Sequence, residues 1–191
     1  GAYGNIDFYA IKGICENILK LAGIQGVTYT SVSDNPSYHP GRYATISVDD
    51  KVIGVLGQIH PLTAKNYGVD LPVYACELDF DAIFALMNDT KLYAPLPKFP
   101  ATTRDFSFVC DEALEFGTIK EEMAKAGGKL VDSIELFDIY RGHQVGENKK
   151  SVSIRVTLRA SDRTLTVEEA EKVSSKILAG MEKNLGITLR A

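Results

Sequence analysis

The sequence predicts an α+β protein of two modules, the second with a ferredoxin-like β-α-β-β-α-β order. Segments of alternating apolar and polar residues predict strands in both halves, and capped helical stripes lie between them. Pro95, Pro97 and Pro100 then interrupt the chain near its middle. Prolines remove backbone donors and favour extended chain, so we predict a linker over residues 94–103. The predicted modules are therefore residues 1–93 and 104–191.

The first half alternates one long helix with short strands. Asp7 is suited to cap a helix over residues 7–22, and Gly23 to end it in the left-handed conformation. The residues at core spacing on this helix are Phe8, Ile11, Cys15, Ile18, Leu19 and Ala22. Strands are predicted at 27–33, 44–48, 52–59 and 73–80, with a hairpin turn at 49–51 and a short helix over 62–67. Asp81 is predicted to cap a further helix that runs through Met87.

The second half supplies the ferredoxin-like order. Strands are predicted at 104–110, 130–140, 151–159 and 187–190, with a bulge in the second near Phe137 and Asp138. Two capping boxes predict the two helices, Thr118 with Glu121 and Thr166 with Glu169; the helices end near residues 127 and 186. One antiparallel sheet with both helices on one face follows from this order.

The strand at 151–159, SVSIRVTLR, has one apolar and one polar face. Arg155 and Arg159 lie on the polar face, which could bind an anion or a nucleic acid. The alternative is a solvated antiparallel face, which is the commoner case. Tyr140 ends the preceding strand, where a ring either stacks a nucleotide base or covers the sheet end; both interpretations stay open.

Composition limits the classes of function. The chain has 191 residues, of which 45% are hydrophobic and 24% charged, as in ordinary globular domains. It has no apolar run near the roughly 18 residues of a membrane span and opens without methionine, so we expect no membrane partner and a fragment or processed chain. The net charge is −4, but residues 98–191 hold 15 Lys and Arg against 15 Asp and Glu. Any RNA contact should therefore be a local patch.

Catalytic and metal-binding patterns are missing from the sequence. Cys15, Cys76 and Cys110 are far apart and are interpreted as core residues in a reducing cytosol, and the three histidines are equally scattered. Acidic residues at 77, 79 and 81 could share a metal, although helix capping and solvent exposure explain them better. No phosphate loop, nucleophile elbow or zinc motif occurs. We therefore predict that this chain alone catalyses nothing and holds no metal.

Four ordered motifs in the second half resemble the C-terminal anticodon-binding module of the bacterial phenylalanyl-tRNA synthetase β subunit. They are LPKFPATTRDFSFV (96–109), VDSIELFDIYRG (131–142), KKSVSIRVTLR (149–159) and DRTLTVEEAE (162–171). The first half resembles the end of the degenerate class II synthetase-like module of the same subunit. The motifs there are DFYAIKGICENIL (7–19), YHPGRYATI (38–46), VIGVLGQIHP (52–61) and VYACELDFDAI (73–83).

This resemblance implies a cytoplasmic ligase that attaches phenylalanine to tRNA(Phe) with ATP and magnesium. In that family the active site lies in the α subunit of an (αβ)₂ heterotetramer, so the present chain would bind the anticodon and dock subunits without a catalytic site or cofactor of its own. The resemblance also implies that Tyr140 stacks the first anticodon base and that Ser107, Ser151 and Arg190 surround it. Ser107 departs from the small apolar residue usual there, so its contact is expected to differ.

Three further hypotheses accompany this resemblance. We infer Arg155 and Arg159 as phosphate contacts from their place on the polar face, not from the family. Ferredoxin-like domains also serve as protein-interaction or small-ligand regulatory modules, which is the alternative function. A stand-alone enzyme is a third and more distant hypothesis.

Overall fold

A computed structural model describes residues 6–88, 90, 93 and 95–190. The chain divides into two compact units, Gly1–Ala94 and Pro95–Ala191. The first strand of the second unit begins at Thr102, so the last two residues of the predicted linker belong to a strand instead. Residue 94, at the start of that linker, lies outside the described residues, and the predicted module boundaries stay a proposal.

The first unit is a four-stranded antiparallel sheet with helices, in the strand order β1-β2-β3-β4. Its elements are α1 (Phe8–Leu21), β1 (Val27–Ser31), β2 (Tyr38–Val48), β3 (Lys51–Ile59), α2 (Pro61–Asn66), β4 (Tyr74–Leu78) and α3 (Phe80–Leu86). The prediction of α1 is confirmed at both ends, since the Asp7 carboxylate accepts the Ala10 N–H and Gly23 has φ +75°. Strand β2 starts six residues before its predicted beginning at residue 44.

The predicted stripe of α1 is right except at Ile18. Cys15 and Leu19 are buried against the sheet, in a core with Ile46, Ile53 and Leu56. Ile18, however, is 45% exposed. It lies one residue before Leu19, about 100° around the helix, and so falls outside the buried stripe.

Two turns of the first unit differ in detail from their prediction. The β2–β3 hairpin is confirmed, but its turn is only Asp49–Asp50, both at positive φ (47° and 64°), as in a type I′ turn. Helix α3 is capped by Asp79, whose carboxylate accepts the Ala82 N–H at 2.9 Å. The prediction that Asp81 caps this helix is therefore wrong; Asp81 lies in its first turn.

The second unit confirms the ferredoxin-like fold. Its elements are β5 (Thr102–Asp111), α4 (Phe116–Gly127), β6 (Val131–Tyr140), β7 (Lys149–Leu158), α5 (Val167–Gly180) and β8 (Thr188–Leu189). A π-helical turn, Met181–Leu185, carries α5 on to Gly186, which has φ +64°. The strands are antiparallel neighbours in the order β6-β7-β5-β8. The predicted bulge is also confirmed, because the β6–β7 register shifts between Leu136 and Asp138.

Of the two predicted capping boxes, one is confirmed and one is wrong. Thr166 and Glu169 form a reciprocal capping box at the start of α5. Helix α4 instead begins at Phe116, and its N-cap, Glu115, makes no side-chain capping bond. Phe116 packs against the core of this unit, which starts the helix before Thr118 can act as its cap.

Both helices of the second unit cover the same face of the sheet. Ile119 and Met123 from α4 and Ile177 from α5 share one core with Phe108 and Ile154. Strand residues of the opposite phase point away from these helices. None of the helices in the described residues combines the length and apolar character needed to cross a membrane.

Candidate nucleic-acid interface

The face of the second sheet turned away from the helices is here called the open face. Strand pairing sets out its residues in rows across β6, β7 and β5. Ser107 lies opposite Ser153, and Asp105 lies opposite Arg155. Tyr140 lies beside Ser151 at one end. The Arg190 N–H donates to the Ser107 carbonyl at 2.7 Å, which places Arg190 on the outer side of β5.

At this end, Tyr140 and Arg190 meet from opposite edges of the sheet. Tyr140 ends the edge strand β6, and Arg190 follows the other edge strand, β8. The Arg190 guanidinium carbon lies 4.9 Å from the centroid of the Tyr140 ring, which is within cation–π range. Arg190 Nη2 also donates to Gln144 Oε1 at 2.8 Å. The two side chains therefore span the sheet above β7 and β5.

Ser151 lies on β7 beside Tyr140 and is almost completely buried, with 1% of its surface exposed. Its hydroxyl oxygen has no hydrogen-bond partner within the described residues. A buried hydroxyl without a partner costs about 1–3 kcal/mol, which a ligand with a polar edge would recover. Among the predicted site residues, Ser151 is the one with a buried hydroxyl that lacks a hydrogen-bond partner.

Ser107 is already engaged within the sheet. Its hydroxyl oxygen lies 2.9 Å from that of Ser153, the residue opposite it on β7, and either serine can donate. The Ser107–Ser153 pair is partly buried. Ser107 lies near the Arg190 backbone, and its hydroxyl keeps further capacity for a ligand: a lone pair when it donates to Ser153, and its O–H when it accepts from Ser153.

Arg155 is paired across the sheet with Asp105. Two parallel bonds join them, from Nε to Oδ1 at 2.8 Å and from Nη2 to Oδ2 at 2.7 Å. The guanidinium also lies 5.4 Å from the centroid of the Phe137 ring. Hydrogen bonding from Arg155 holds the pKa of the Asp105 carboxyl below its usual range. This arginine thus has a neutralising partner on the same face.

Arg159 has a structural environment of its own. Its Nε donates to Asp132 at 3.1 Å, and its Nη1 donates to the carbonyl of Phe99 at 2.9 Å. These bonds connect the segment before β5 to the start of β6. The structure thus brings Tyr140, Ser151, Ser107 and Arg190 together at one end of the open face, while Arg155 and Arg159 follow along β7 in ion pairs.

Sequence reasoning missed the loop that frames Tyr140. A β-carbon added to Gly142 would meet the Tyr140 Oη at 2.4 Å and its Cζ at 2.6 Å, so the ring lies directly on the Gly142 backbone. Beside it, a cavity of about 650 Å³ is lined by Glu112, residues 141–143 and residues 146–149. Arg141 donates to Glu112 in this cavity, which lowers the pKa of that carboxyl. In the sequence, this loop is indicated only by the glycine that lies two residues after the tyrosine at the end of the strand.

The carboxylates considered for a metal have other roles. Glu77 accepts the Tyr38 hydroxyl at 2.7 Å, and Asp79 caps α3. In the part of the chain that the structure describes, no group of three His, Cys, Asp or Glu side chains could hold a metal ion.

The first unit exposes apolar residues on its helices. Ile14, Ile18 and Leu21 form a stripe along α1, with exposures of 55%, 45% and 75%. On α3, Phe80 and Phe84 are also exposed, and their ring centroids lie 6.3 Å apart. Large exposed apolar patches are typical of surfaces that bind protein partners.

The second unit has a four-stranded antiparallel sheet, helices on one face and an exposed aromatic ring on the other. These features define the class of ferredoxin-fold domains with one sheet face left uncovered by helices. Residues 97–190 match the family model of the ferredoxin-fold anticodon binding domain. Residues 1–80 match that of the phenylalanyl tRNA synthetase beta chain CLM domain.

Similar proteins match the chain over nearly all its length. Phenylalanine–tRNA ligase beta subunits of Clostridium acetobutylicum and Clostridium tetani are 38% and 40% identical over 190 residues, covering 100% of this chain. That of Syntrophotalea carbinolica is 38% identical over 185 residues and covers 97% of it. The chain spans only 24%, 24% and 23% of these relatives. The solved structure of Arabidopsis thaliana MSL1 A320V was also matched, over 96% of this chain and 63% of its own. Its identity of 12% and TM-score of 0.33 are too low to indicate a shared fold.

The chain therefore belongs to the family of phenylalanine–tRNA ligase beta subunits, and its second unit to the ferredoxin-fold anticodon binding domains. The resemblance stated from the sequence motifs is confirmed.

Proposed function

We propose that this chain is the anticodon-binding and subunit-docking part of a cytoplasmic phenylalanine–tRNA ligase. In this role it supports the ATP-dependent attachment of phenylalanine to tRNA(Phe) while contributing no catalytic group itself. The observation that carries the proposal is the end of the open face, where the Tyr140 ring lies beside the unpartnered Ser151 hydroxyl. The ring offers a stacking surface and the hydroxyl a polar contact.

Base binding requires an exchange on the Tyr140 ring. Arg190 now lies over the ring and is anchored by Gln144. An incoming base replaces the guanidinium on the ring, and stacking of this kind contributes about 1–3 kcal/mol per base. The displaced Arg190 keeps its backbone bond to Ser107 and remains close enough to donate to the base or its phosphate. The Ser151 hydroxyl gains the partner it lacks.

Arg155 and Arg159 contribute to this proposal mainly through the electrostatic field along β7. Each has an acidic partner, Asp105 and Asp132 respectively, so a phosphate must compete with an existing ion pair. Ion pairs between solvent-exposed side chains contribute little to stability, so a phosphate can compete for Arg155 more easily than for Arg159, which also donates to the Phe99 carbonyl. We keep both as phosphate contacts of secondary importance.

Docking to an α subunit in an (αβ)₂ heterotetramer is the second part of the proposal. The exposed stripe of Ile14, Ile18 and Leu21 supports it, because an apolar helix face of this kind packs against another helix. ATP and magnesium would be held by the rest of the ligase. Co-purification with the α subunit tests this part: I18E with L21E should abolish it, whereas L62E, which charges an exposed leucine on α2, should not. Equal co-purification of both variants contradicts the assignment.

Affinity for an anticodon stem–loop of tRNA(Phe) tests the first part. We expect Y140A to weaken binding about 5- to 150-fold, the equivalent of losing one stacked base. The matched control is Y67A, which removes an exposed tyrosine from the other unit. R190A should weaken binding less, whereas R163A, which removes an arginine outside the open face, should leave it unchanged.

Two results contradict this assignment. Equal affinity of Y140A, R190A and the parent would show that the open face is not the site. If the parent fails to bind at low salt, or binds cognate and anticodon-swapped stem–loops alike, the anticodon function itself is wrong. A sheet-face dimer without RNA affinity would favour the protein-interaction alternative.

A further inference from the structure

Two cysteines that are 61 residues apart in sequence meet in the core of the first unit. Cys15 lies in α1 and Cys76 in β4, and their sulfur atoms are 2.9 Å apart, with the Cys15 thiol donating to Cys76. Cys15 is 1% exposed, whereas Cys76 is only partly buried. The third cysteine, Cys110, is buried in the second unit without a cysteine neighbour, since the chain has only these three.

The two sulfur atoms are in direct contact but are not bonded. A disulfide has an S–S length of about 2.05 Å, so the sulfurs need to approach by about 0.9 Å. Small rotations about the two Cα–Cβ bonds move the sulfur atoms by distances of this size. Leu19, Leu56 and Leu78 surround the pair, and Tyr29 packs against the same core.

We infer that Cys15 and Cys76 form an oxidative modification site, at which a peroxide converts the two thiols into an intramolecular disulfide between α1 and β4. Cys76 reacts first because it is the more accessible thiol. Its thiolate attacks the peroxide, the O–O bond breaks, and Cys76 becomes a sulfenic acid with release of one water. The Cys15 sulfur then attacks the Cys76 sulfur, the S–S bond forms, and the sulfenic oxygen leaves as a second water. Two thiols thus transfer two electrons to one hydrogen peroxide.

The environment determines how fast this happens. Burial raises the pKa of Cys76 to about 12. The thiolate fraction is therefore small at neutral pH, and the first step is slow. The second step is fast because the two sulfurs are already adjacent. The pair should stay reduced in a reducing cytosol and accumulate as a disulfide under sustained oxidant.

The disulfide has a predictable mechanical effect. It closes a long loop and restricts the unfolded chain, which raises the melting temperature of the first unit. It also fixes α1, whose outer stripe is the proposed docking surface, to the sheet beneath it. This inference is independent of the RNA function, so either can fail without the other.

The test treats the whole chain with hydrogen peroxide, quenches it by alkylation under unfolding conditions, and maps the peptides by mass spectrometry. We expect a Cys15–Cys76 cross-linked peptide, a mass lower by two hydrogens, and Cys110 still free to be alkylated. C110S should form the same cross-link, and C15S and C76S should not. The oxidised chain should melt at a higher temperature, and dithiothreitol should reverse the shift.

Three outcomes overturn the inference. Cys110 could be consumed as fast as Cys76, cross-links between chains could dominate, or Cys76 could proceed to sulfinic acid while Cys15 stays free. Because peptide mapping of the parent chain alone distinguishes these from the expected disulfide, the test stands even if C15S fails to fold.

Discussion

The two ends of the open face use the same kinds of residue in different ways. At one end, Arg155 is bonded twice to Asp105, and Arg159 to Asp132 and a backbone carbonyl. At the other, Arg190 rests on the Tyr140 ring above β7, where the Ser151 hydroxyl has no partner. A carboxylate neutralises the arginine that it bonds, whereas Arg190 is held by the Tyr140 ring and by the uncharged Gln144 side chain. In the proposed function a base replaces this guanidinium on the ring. Whether a polar side chain is available to bind a ligand thus depends on its partner in the fold rather than on its residue type.

Among the variants that keep Tyr140, G142A is expected to have the largest effect on this comparison. The added methyl group would overlap the Tyr140 hydroxyl and force the ring off its present position. We expect stem–loop affinity to fall about tenfold, within the range for loss of one stacked base. Fluorescence anisotropy at fixed salt measures it.

The control for G142A is G117A, because nothing lies within 4 Å of a β-carbon there and α4 accepts alanine. Unchanged affinity of G142A would show that Tyr140 does not need its present orientation to bind.

Ser151 and Ser153, two serines of one strand, should respond in opposite directions. S151A removes a buried hydroxyl that has no partner, so the free energy of unfolding should stay equal or rise by up to about 1 kcal/mol. The same variant should bind RNA about 3- to 10-fold more weakly, because the contact from the hydroxyl is lost. S153A breaks the bond to Ser107 and should lower the free energy of unfolding by about 0.5–1.5 kcal/mol. Urea titration and RNA binding measured on both variants check this.

If S151A is destabilised as much as S153A, the Ser151 hydroxyl has a partner and the comparison between the two ends loses its main support.

R155A should have a smaller effect on binding. The lost charge already has Asp105 as a partner, so we expect affinity to change less than about threefold. The dependence of affinity on salt is the more informative measurement, because loss of a true phosphate contact reduces its slope by about one. R163A, an ion-paired arginine outside the sheet, provides the baseline. A loss as large as that of Y140A would break the comparison.

The smallest effect concerns pH. Bonding to Arg155 lowers the pKa of Asp105 in the folded chain, so the stabilisation is fully present above the ordinary carboxyl pKa, near 4. It is lost as pH falls through the lower folded value. D105N should remove only this part of the acid sensitivity in urea titrations. Identical acid profiles for D105N and the parent would show that the pair contributes nothing measurable.

The helix caps show how well a local sequence pattern predicts where a helix begins. Thr118 with Glu121 and Thr166 with Glu169 have the same spacing, yet only the second pair caps a helix. Helix α4 begins at Phe116, a partly buried residue that packs against the core, so Thr118 lies inside the helix and not at its cap. The same holds for α3. Asp79 and Asp81 are both of a residue type that caps helices, but the backbone places Asp79 at the cap and Asp81 in the first turn.

Alternation along SVSIRVTLR, the bulge near Phe137 and the order of helices and strands determined the ferredoxin-like fold from the sequence, because these signals are periodic and local. The motifs likewise identified the family, and the proposal that Tyr140 binds a base follows from that resemblance. Tertiary structure alone decided which polar groups have partners. Arg155 meets Asp105 from 50 residues away, and Cys15 meets Cys76 from 61. Such pairings depend on the register of distant strands and the seating of a helix, neither of which is present in a single stretch of sequence.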